Sequence, residues 1–420
     1  MPASKRLRDR PLLRTILRAL RSRNYRLFCL GQGVSFIGTW MTRVATSWLV
    51  YRLTGSVLLL GIVDFAGQVP AFLLAPISGV LADRWNRHRI LVITQALSML
   101  ESFVLAALAL TGRITIGEII LLNTFQGFVN AVDIPMRQSF VVDMVERKED
   151  LSNAIALNSS VFNGARLIGP SIAGLLIAAA GEGMCFLIDG VSYLAAIAAL
   201  LAMRLPPWRK PAHAPPIWDG VAEGLRYAFG FPPIRSMLLL LGLVSLMGMP
   251  YSVLMPVMAK NILRGGPHTL GFLMAASGLG ALVGALMLAA RNTVLGLGRV
   301  IVASGVTFGV GLAAFSLSRF LPLSLLLMVV TGFGMMSQMA ASNTIIQTLV
   351  PDELRGRVMS LYAIAVMGMA TLGSLFAGAA ASRLGTPHTL AIGGVACLAG
   401  SLVFSSRLSS IQALVRPIEE

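Results

Sequence analysis

Charge is what this sequence has least of. Only 12% of its 420 residues are Asp, Glu, Lys or Arg, where a soluble domain averages about a quarter. The deficit excludes an ordinary water-soluble globule: 56% of residues are hydrophobic, and mean hydropathy is +0.78. Cysteine is scarce too. Cys29, Cys185 and Cys397 lie in or at the edge of apolar runs without metal-ligand spacing, so they read as small core residues. His88, His213, His268 and His388 fall in or near loops and show no metal spacing either. No Gly-Lys phosphate loop is present, which excludes ATP hydrolysis by this chain. No metal, cofactor or catalytic nucleophile is expected, and the chain is not read as an enzyme.

Acidic residues are few, 18 against 34 basic ones, for a formal charge of +16. Such a surplus can mark nucleic-acid binding, but here its distribution decides otherwise. The basic residues sit in short segments beside apolar runs, where they act as topology signals. No nucleic-acid partner is expected.

Long apolar runs are what the sequence has in abundance. Twelve are visible, at about 27–51, 56–82, 90–111, 114–135, 155–180, 183–203, 234–260, 268–290, 298–317, 321–345, 358–383 and 386–406. Each is long enough for a helix to cross the hydrocarbon of a bilayer. Lys and Arg gather at both termini and in the connections after even-numbered runs. The positive-inside bias then puts both termini in the cytoplasm. Residues 1–26 alternate arginines with Leu12, Leu13, Ile16, Leu17 and Leu20 at helical spacing. They read as a basic amphipathic segment on the inner leaflet or as a simple cytoplasmic retention signal. A cleavable signal peptide is not expected, because the first apolar run is too long.

The chain divides in two. The longest connection, 204–233, opens with Pro206, Pro207 and Pro211 and carries a short amphipathic stretch at 218–229. It separates a first half, 27–203, from a second, 234–406, and 407–420 forms a cytoplasmic tail. The halves repeat weakly: 151–174 aligns to 355–378, so that Gly164, Gly169 and Gly174 fall on Gly368, Gly373 and Gly378. Glycines at such spacing suit close helix packing. The fold class expected is an all-α membrane protein of twelve transmembrane helices in two pseudo-symmetric six-helix bundles.

Ionisable residues inside the runs are functional candidates, because burying a charge in a bilayer is costly. They are Arg43, Asp64, Glu101, Asp133, Arg166 and Asp189, all in the first half. Proton or ion coupling is therefore expected there. Arg43 and Asp64 lie at similar depth on antiparallel runs, and read either as a structural ion pair or as a titrating carboxylate held by arginine. Glu101 and Arg166 lie near mid-membrane and are candidates to pair, with a structural role the sober reading of Glu101. Asp133, just before Pro135, joins Asp83, Arg84, Arg87 and Arg137 in an expected charged cluster at the cytoplasmic mouth. Such a cluster can latch a gate, or merely anchor a solvated loop. Asp352, Glu353, Arg355 and Arg357 offer a partner surface from the second half. Gly169, Pro170 and Gly174 in the fifth run mark a hinge or an ordinary proline kink. Gln126 is the polar residue of interest in the fourth run. Gln338, Asn343, Gln347, Tyr251 and Tyr362 read equally as ligand or helix contacts, and the 21 methionines as core packing or a deformable lining.

The stretch Gly79-Val80-Leu81-Ala82-Asp83-Arg84-Trp85-Asn86-Arg87-His88-Arg89 resembles the loop between helices 2 and 3 of major facilitator superfamily transporters. Asn86 stands where that pattern has a second glycine, and a left-handed turn is expected at it. His88 replaces a lysine. Gly169-Pro170 with Ala173-Gly174 resembles the antiporter signature of the superfamily's drug/proton exporters, although an upstream glycine is Ala165 here. Asn123, three residues before Gln126-Gly127, replaces the arginine of the proton-coupling signature. A neutral amide cannot tune a carboxylate as that arginine does.

Arg23-Asn24-Tyr25-Arg26-Leu27-Phe28, Gly38-Thr39-Trp40-Met41, Trp48-Leu49-Val50-Tyr51, Leu53-Thr54-Gly55-Ser56 and Pro135-Met136-Arg137-Gln138 are similar to the bacterial branch of enterobactin-exporter and macrolide-efflux-type permeases. The resemblance implies a monomeric rocker-switch carrier of the bacterial inner membrane, with a cavity lined by spans 1, 4, 7 and 10. It implies export of a small amphipathic molecule, siderophore or drug-like, by proton antiport among membrane lipids. Alternatives are a nutrient importer or facilitator, a lysophospholipid flippase and a non-transporting scaffold or sensor.

Overall fold

The computed structural model describes residues 18–205, 225–291 and 293–406, with the side chains of 75–84, 148, 352 and 353 left aside. The amphipathic reading of residues 1–17, most of the 204–233 connection and the tail at 407–420 lie outside the described residues.

Twelve helical rods run through the described chain. They are α1 (Arg23–Thr54), α2 (Val57–Arg84), α3 (Arg87–Leu110), α4 (Ile116–Met144), α5 (Leu151–Ala180) and α6 (Glu182–Leu201). The second series is α7 (Pro232–Ile262), α8 (Pro267–Ala289), α9 (Leu297–Leu317), α10 (Leu321–Leu349), α11 (Leu354–Leu384) and α12 (Thr386–Ser405). Eleven are long and apolar enough to cross a membrane. The exception is α1, whose 32 residues rise about 48 Å. It is long enough, but it carries Gln32, Ser35, Arg43, Thr46 and Arg52. Gln32, Ser35 and Thr46 are buried against the rest of the bundle, so polarity here faces protein.

Local chemistry sets the helix ends. α1 stops at Gly55, whose φ of 62° is open to glycine. α4 begins with a capping box between Thr115 and Glu118. Prolines open α7 and α8, where a missing N–H costs nothing.

Two expectations change here. The charged stretch 79–89 is almost entirely helical, and only Trp85 and Asn86 interrupt it. Asn86 is not left-handed: its φ is −69° and ψ 102°, and its side chain accepts the Arg89 N–H at 3.2 Å. Asparagine thus serves as a helix cap, satisfying an orphan donor that glycine would leave to water. Second, α4 continues through Pro135 to Met144 instead of emerging at 135. Met136, Phe140, Val141 and Met144 pack with Tyr25, Phe28 and Leu91 in a second apolar core. That burial outweighs the hydrogen bond lost at proline.

The two halves repeat in their packing. α1 packs on α5 and α6, α2 on α4, and α3 on α4 and α6. The equivalent pairs recur: α7 on α11 and α12, α8 on α10, α9 on α10 and α12. Even the glycine contacts repeat. A Cβ on Gly169 would sit 2.9 Å from the Ile37 carbonyl of α1, and one on Gly373 would meet the Leu246 carbonyl of α7.

The halves join through α5 with α8 and α2 with α11. In α5 and α8, Gly174 faces Gly271; in α2 and α11, Gly61 faces Gly378. A Cβ on Gly174 would lie 2.8 Å from the Pro267 carbonyl, and one on Gly61 2.5 Å from that of Ser374. Only glycine lets these backbones approach so closely. Both pairs lie toward the end opposite the termini. There Asn261 Nδ2 of α7 also donates to Tyr51 Oη of α1 at 2.6 Å, and Lys260 lies over the same ring. These helix pairs meet between mid-depth and the far end, so the cleft between halves is closed there.

Candidate functional site

At the closed end of the cleft lies a small pocket of about 70 Å³. Its lining includes Arg43, Ser47 and Asp64, with Asn123 of α4, Ser252 of α7 and Met274 of α8. Both halves therefore contribute walls. Arg43 and Asp64 stand 3.5 Å apart, with side chains 48% and 21% exposed. The pair is real but open to the pocket. Asp64 also accepts from Gln68 Nε2 at 2.5 Å and from Ser374 Oγ of α11 at 2.5 Å. One carboxylate thus ties the halves together.

Below it, α1 presents an aromatic ladder. Phe36, Trp40, Arg43 and Ser47 follow one another at spacings that share a helix face. Phe162 of α5 packs edge-on to Phe36 at 5.3 Å and to Trp40 at 5.9 Å between centroids. Three guanidinium groups accompany the rings. Arg43 is 5.4 Å and Arg166 5.8 Å from the Trp40 centroid, and Arg137 is 4.9 Å from that of Phe36. The rings' negative faces attract the cations. The ladder was not read from the sequence, although the spacing of 36, 40, 43 and 47 and of 162, 166 and 169 was there to find it.

Arg166 and Glu101, candidates to pair, do not. Arg166 turns to Trp40, whereas Glu101 is buried on α3 beside Asp189 of α6. Ser102 Oγ lies 3.0 Å from Asp189 and 3.4 Å from Glu101. Thr42 donates to Asp189 at 2.7 Å. Neither acid forms an ion pair among the described residues. Two carboxyl groups thus share a hydroxyl in the core of the first half, away from the cleft. Opposite-facing depth estimates cannot see this, because rotation about each helix decides the partner.

The expected mouth cluster also separates. Asp133 is buried, pairs with Arg137 one turn along α4, and accepts from Thr94 at 2.7 Å and Gln95 at 2.9 Å. Arg87 instead reaches Asp143 at 3.2 Å and the Ser139 carbonyl. Because α4 continues past Pro135, Asp143 becomes the acid nearest Arg87. Gly79, Asp83 and Arg84 stand in the last turns of α2; their side chains, and those of Asp352 and Glu353, lie outside the described residues. Arg355 Nε donates to the Gln347 carbonyl at 3.2 Å, and Arg357 is half-buried on the same helical stretch. Gln126 turns toward α3, donating to Ser98 at 3.0 Å and to Asn130 at 3.2 Å. Pro170 lies inside α5 and cannot bond the carbonyl of Arg166. That carbonyl faces Gly278 of α8, where a Cβ would lie 3.0 Å away.

Twin six-helix halves around a polar cleft walled by both are the architecture of a membrane carrier. Residues 15–416 match the family described as transmembrane secretion effector. The chain belongs to that family, within the major facilitator superfamily, and is a transporter, not an enzyme. It is similar to the staphyloferrin A transporter of Staphylococcus aureus, 27% identical over 88% of this chain and 92% of that one. It is also similar to the multidrug efflux pump Tap of Mycolicibacterium fortuitum, 28% identical over 90% and 95%. The enterobactin exporter EntS of Shigella boydii is 26% identical over 84% and 85%. Among solved structures, a bacterial homologue of the iron transporter ferroportin in an inward-facing state superposes with a TM-score of 0.70 at 18% identity. It covers 95% of this chain and 100% of that one. A peptide transporter, POT, gives 0.73 at 12% identity, covering 93% and 95%.

Proposed function

We propose that this transporter exports a small amphipathic organic molecule across the bacterial inner membrane by alternating access coupled to proton entry. The observation that carries the reading is the far-end closure: two glycine-paired helix contacts and one carboxylate, Asp64, hold the halves together over a pocket walled by both. A carrier needs two states that admit ligand from opposite sides. The repeat supplies two bodies, 27–203 and 234–406, that rock about this contact, joined by 204–233. The basic residues on the terminus-bearing side support a topology with both termini in the cytoplasm. The state described is then the one whose cleft faces the cytoplasm.

Asp64 is the coupling carboxylate in this reading. A proton on it removes the charge that holds Ser374 and Arg43, and loosens the far end. Glu101, Arg166 and Gln126 support the same half. Asp83, Arg84 and Arg87 work with Asp352, Glu353, Arg355 and Arg357 to close the cytoplasmic end in the opposite state, and the buried Asp133–Arg137 pair braces α4 behind them. Gly169, Pro170 and Gly174 give α5 the freedom to follow. The relatives' cargoes, a siderophore in two cases and multiple drugs in another, supply the substrate range to test.

The experiment uses energised inside-out vesicles whose acid interior is reported by a quenching dye. Addition of a transported siderophore, macrolide or other drug should release protons, and vesicles lacking the protein should not respond. No response across the panel, with labelled compound also failing to enter, would set the reading aside in favour of lysolipid or nutrient transport.

A further inference from the structure

From Gly224 to Pro351 the sequence contains no Asp or Glu, and after Glu353 none occurs until Glu419. The second half therefore brings no acidic side chain to the cleft from any of its spans. In the first half every acid inside the spans whose side chain is described is already engaged. Asp64 holds Arg43, Gln68 and Ser374; Asp133 holds Arg137, Thr94 and Gln95; Glu101 and Asp189 are buried together between α1, α3 and α6. Arg166 is left over. It lies mid-way along α5 and makes no ion pair or hydrogen bond among the described residues; its one recorded contact is the face of Trp40. A guanidinium at that depth is costly to leave without an anion. Arg43 flanks the same indole, and its bond to Asp64 is long at 3.5 Å. Phe162, 41% exposed, continues the ring surface beside them.

We infer that Arg43 and Arg166, set about Trp40, form the anion-binding end of the substrate site, and that the substrate is an organic anion bearing a flat apolar group. The inference rests on the carrier reading above and names its substrate class. Guanidinium forks suit carboxylates in two-point contact. Trp40 and Phe162 supply the surface on which a flat group stacks. Among the described residues every acid facing the cleft is already paired or hydrogen-bonded, which disfavours organic cations of the same size.

The test is binding to the full-length protein in nanodiscs, read by calorimetry, with three matched probes: 2-naphthoate, 2-naphthamide and 2-naphthylmethylammonium. Naphthoate should bind at least about tenfold more tightly than the other two, as loss of one charge-assisted contact implies. Its affinity should weaken with salt. Arg166→Gln should lose at least about tenfold in naphthoate affinity and leave naphthamide unchanged, with Arg166→Lys intermediate. Equal or tighter binding of the ammonium, or no naphthoate binding by the unaltered protein, overturns the inference whatever the variants do. The two readings fail separately. Vesicles that answer the ammonium but not naphthoate keep the carrier and refute the anion site. Naphthoate binding without transport of any compound keeps the anion site and refutes the carrier.

Discussion

Asp64 does two jobs with one carboxylate: it faces Arg43 in the pocket and accepts Ser374 from the other half. Asp64→Asn should leave an inserted, folded protein whose efflux no longer follows the proton gradient, and unchanged pH dependence in vesicles would return Asp64 to a structural role. Ser374→Ala removes the cross-half bond alone. A hydrogen bond to a charged group contributes about 1.5–3 kcal/mol, so the far end should open more often. Thr46→Cys in the pocket should then label faster from outside. Asp133 differs, being buried with Arg137. Asp133→Ala should lower stability by about 3–5 kcal/mol, because a buried guanidinium loses its partner; thermal unfolding in detergent measures this, and Asp133→Asn should cost less. The sequence made these groups visible as charges in apolar runs. It did not reveal most of their partners. The Arg43–Asp64 pairing was legible because both residues lie on sequential antiparallel helices. Glu101 with Asp189, and Arg166 with Trp40, depend on helix rotation and on which helices are neighbours in space.

Helix ends and helix contacts carry the next set of consequences. Asn86 separates α2 from α3 by its side-chain cap. Asn86→Ala should cost about 1 kcal/mol and Asn86→Gly only a few tenths, read by thermal unfolding in detergent; a left-handed turn would instead make Asn86→Gly stabilising. Gly174 and Gly378 occupy matching places in the repeat and press on Gly271 and Gly61. Gly174→Val or Gly378→Val should wedge the far end apart, abolishing transport while membrane insertion stays normal. The 204-residue offset between those glycines was readable in the sequence, and their packing now explains it. What apolar runs concealed was helix length. Met136, Phe140 and Met144 extend α4 beyond Pro135 on one buried face, while the intervening polar residues break the run.

At the scale of the whole molecule, a pair of related bundles closes at one end around an asymmetric cleft. One wall carries arginines and aromatic rings; the spans of the other carry no acid. Twelve rods and two halves were legible from apolar runs and basic connections, because bilayer thickness fixes the length of a span. The face of each rod that meets the cleft was not, because a helix surrounded by lipid on one side and protein on another shows little contrast in hydrophobicity. The central claim, that substrate leaves only when the far end opens, is tested most directly there. Tyr51 and Asn261 touch across the halves at that end. With Cys29, Cys185 and Cys397 replaced, Tyr51→Cys and Asn261→Cys can be joined by a short thiol-specific reagent that reducing agent cleaves. Full cross-linking should stop efflux from vesicles, and reduction should restore it. Undiminished efflux by fully cross-linked protein would contradict alternating access at this gate.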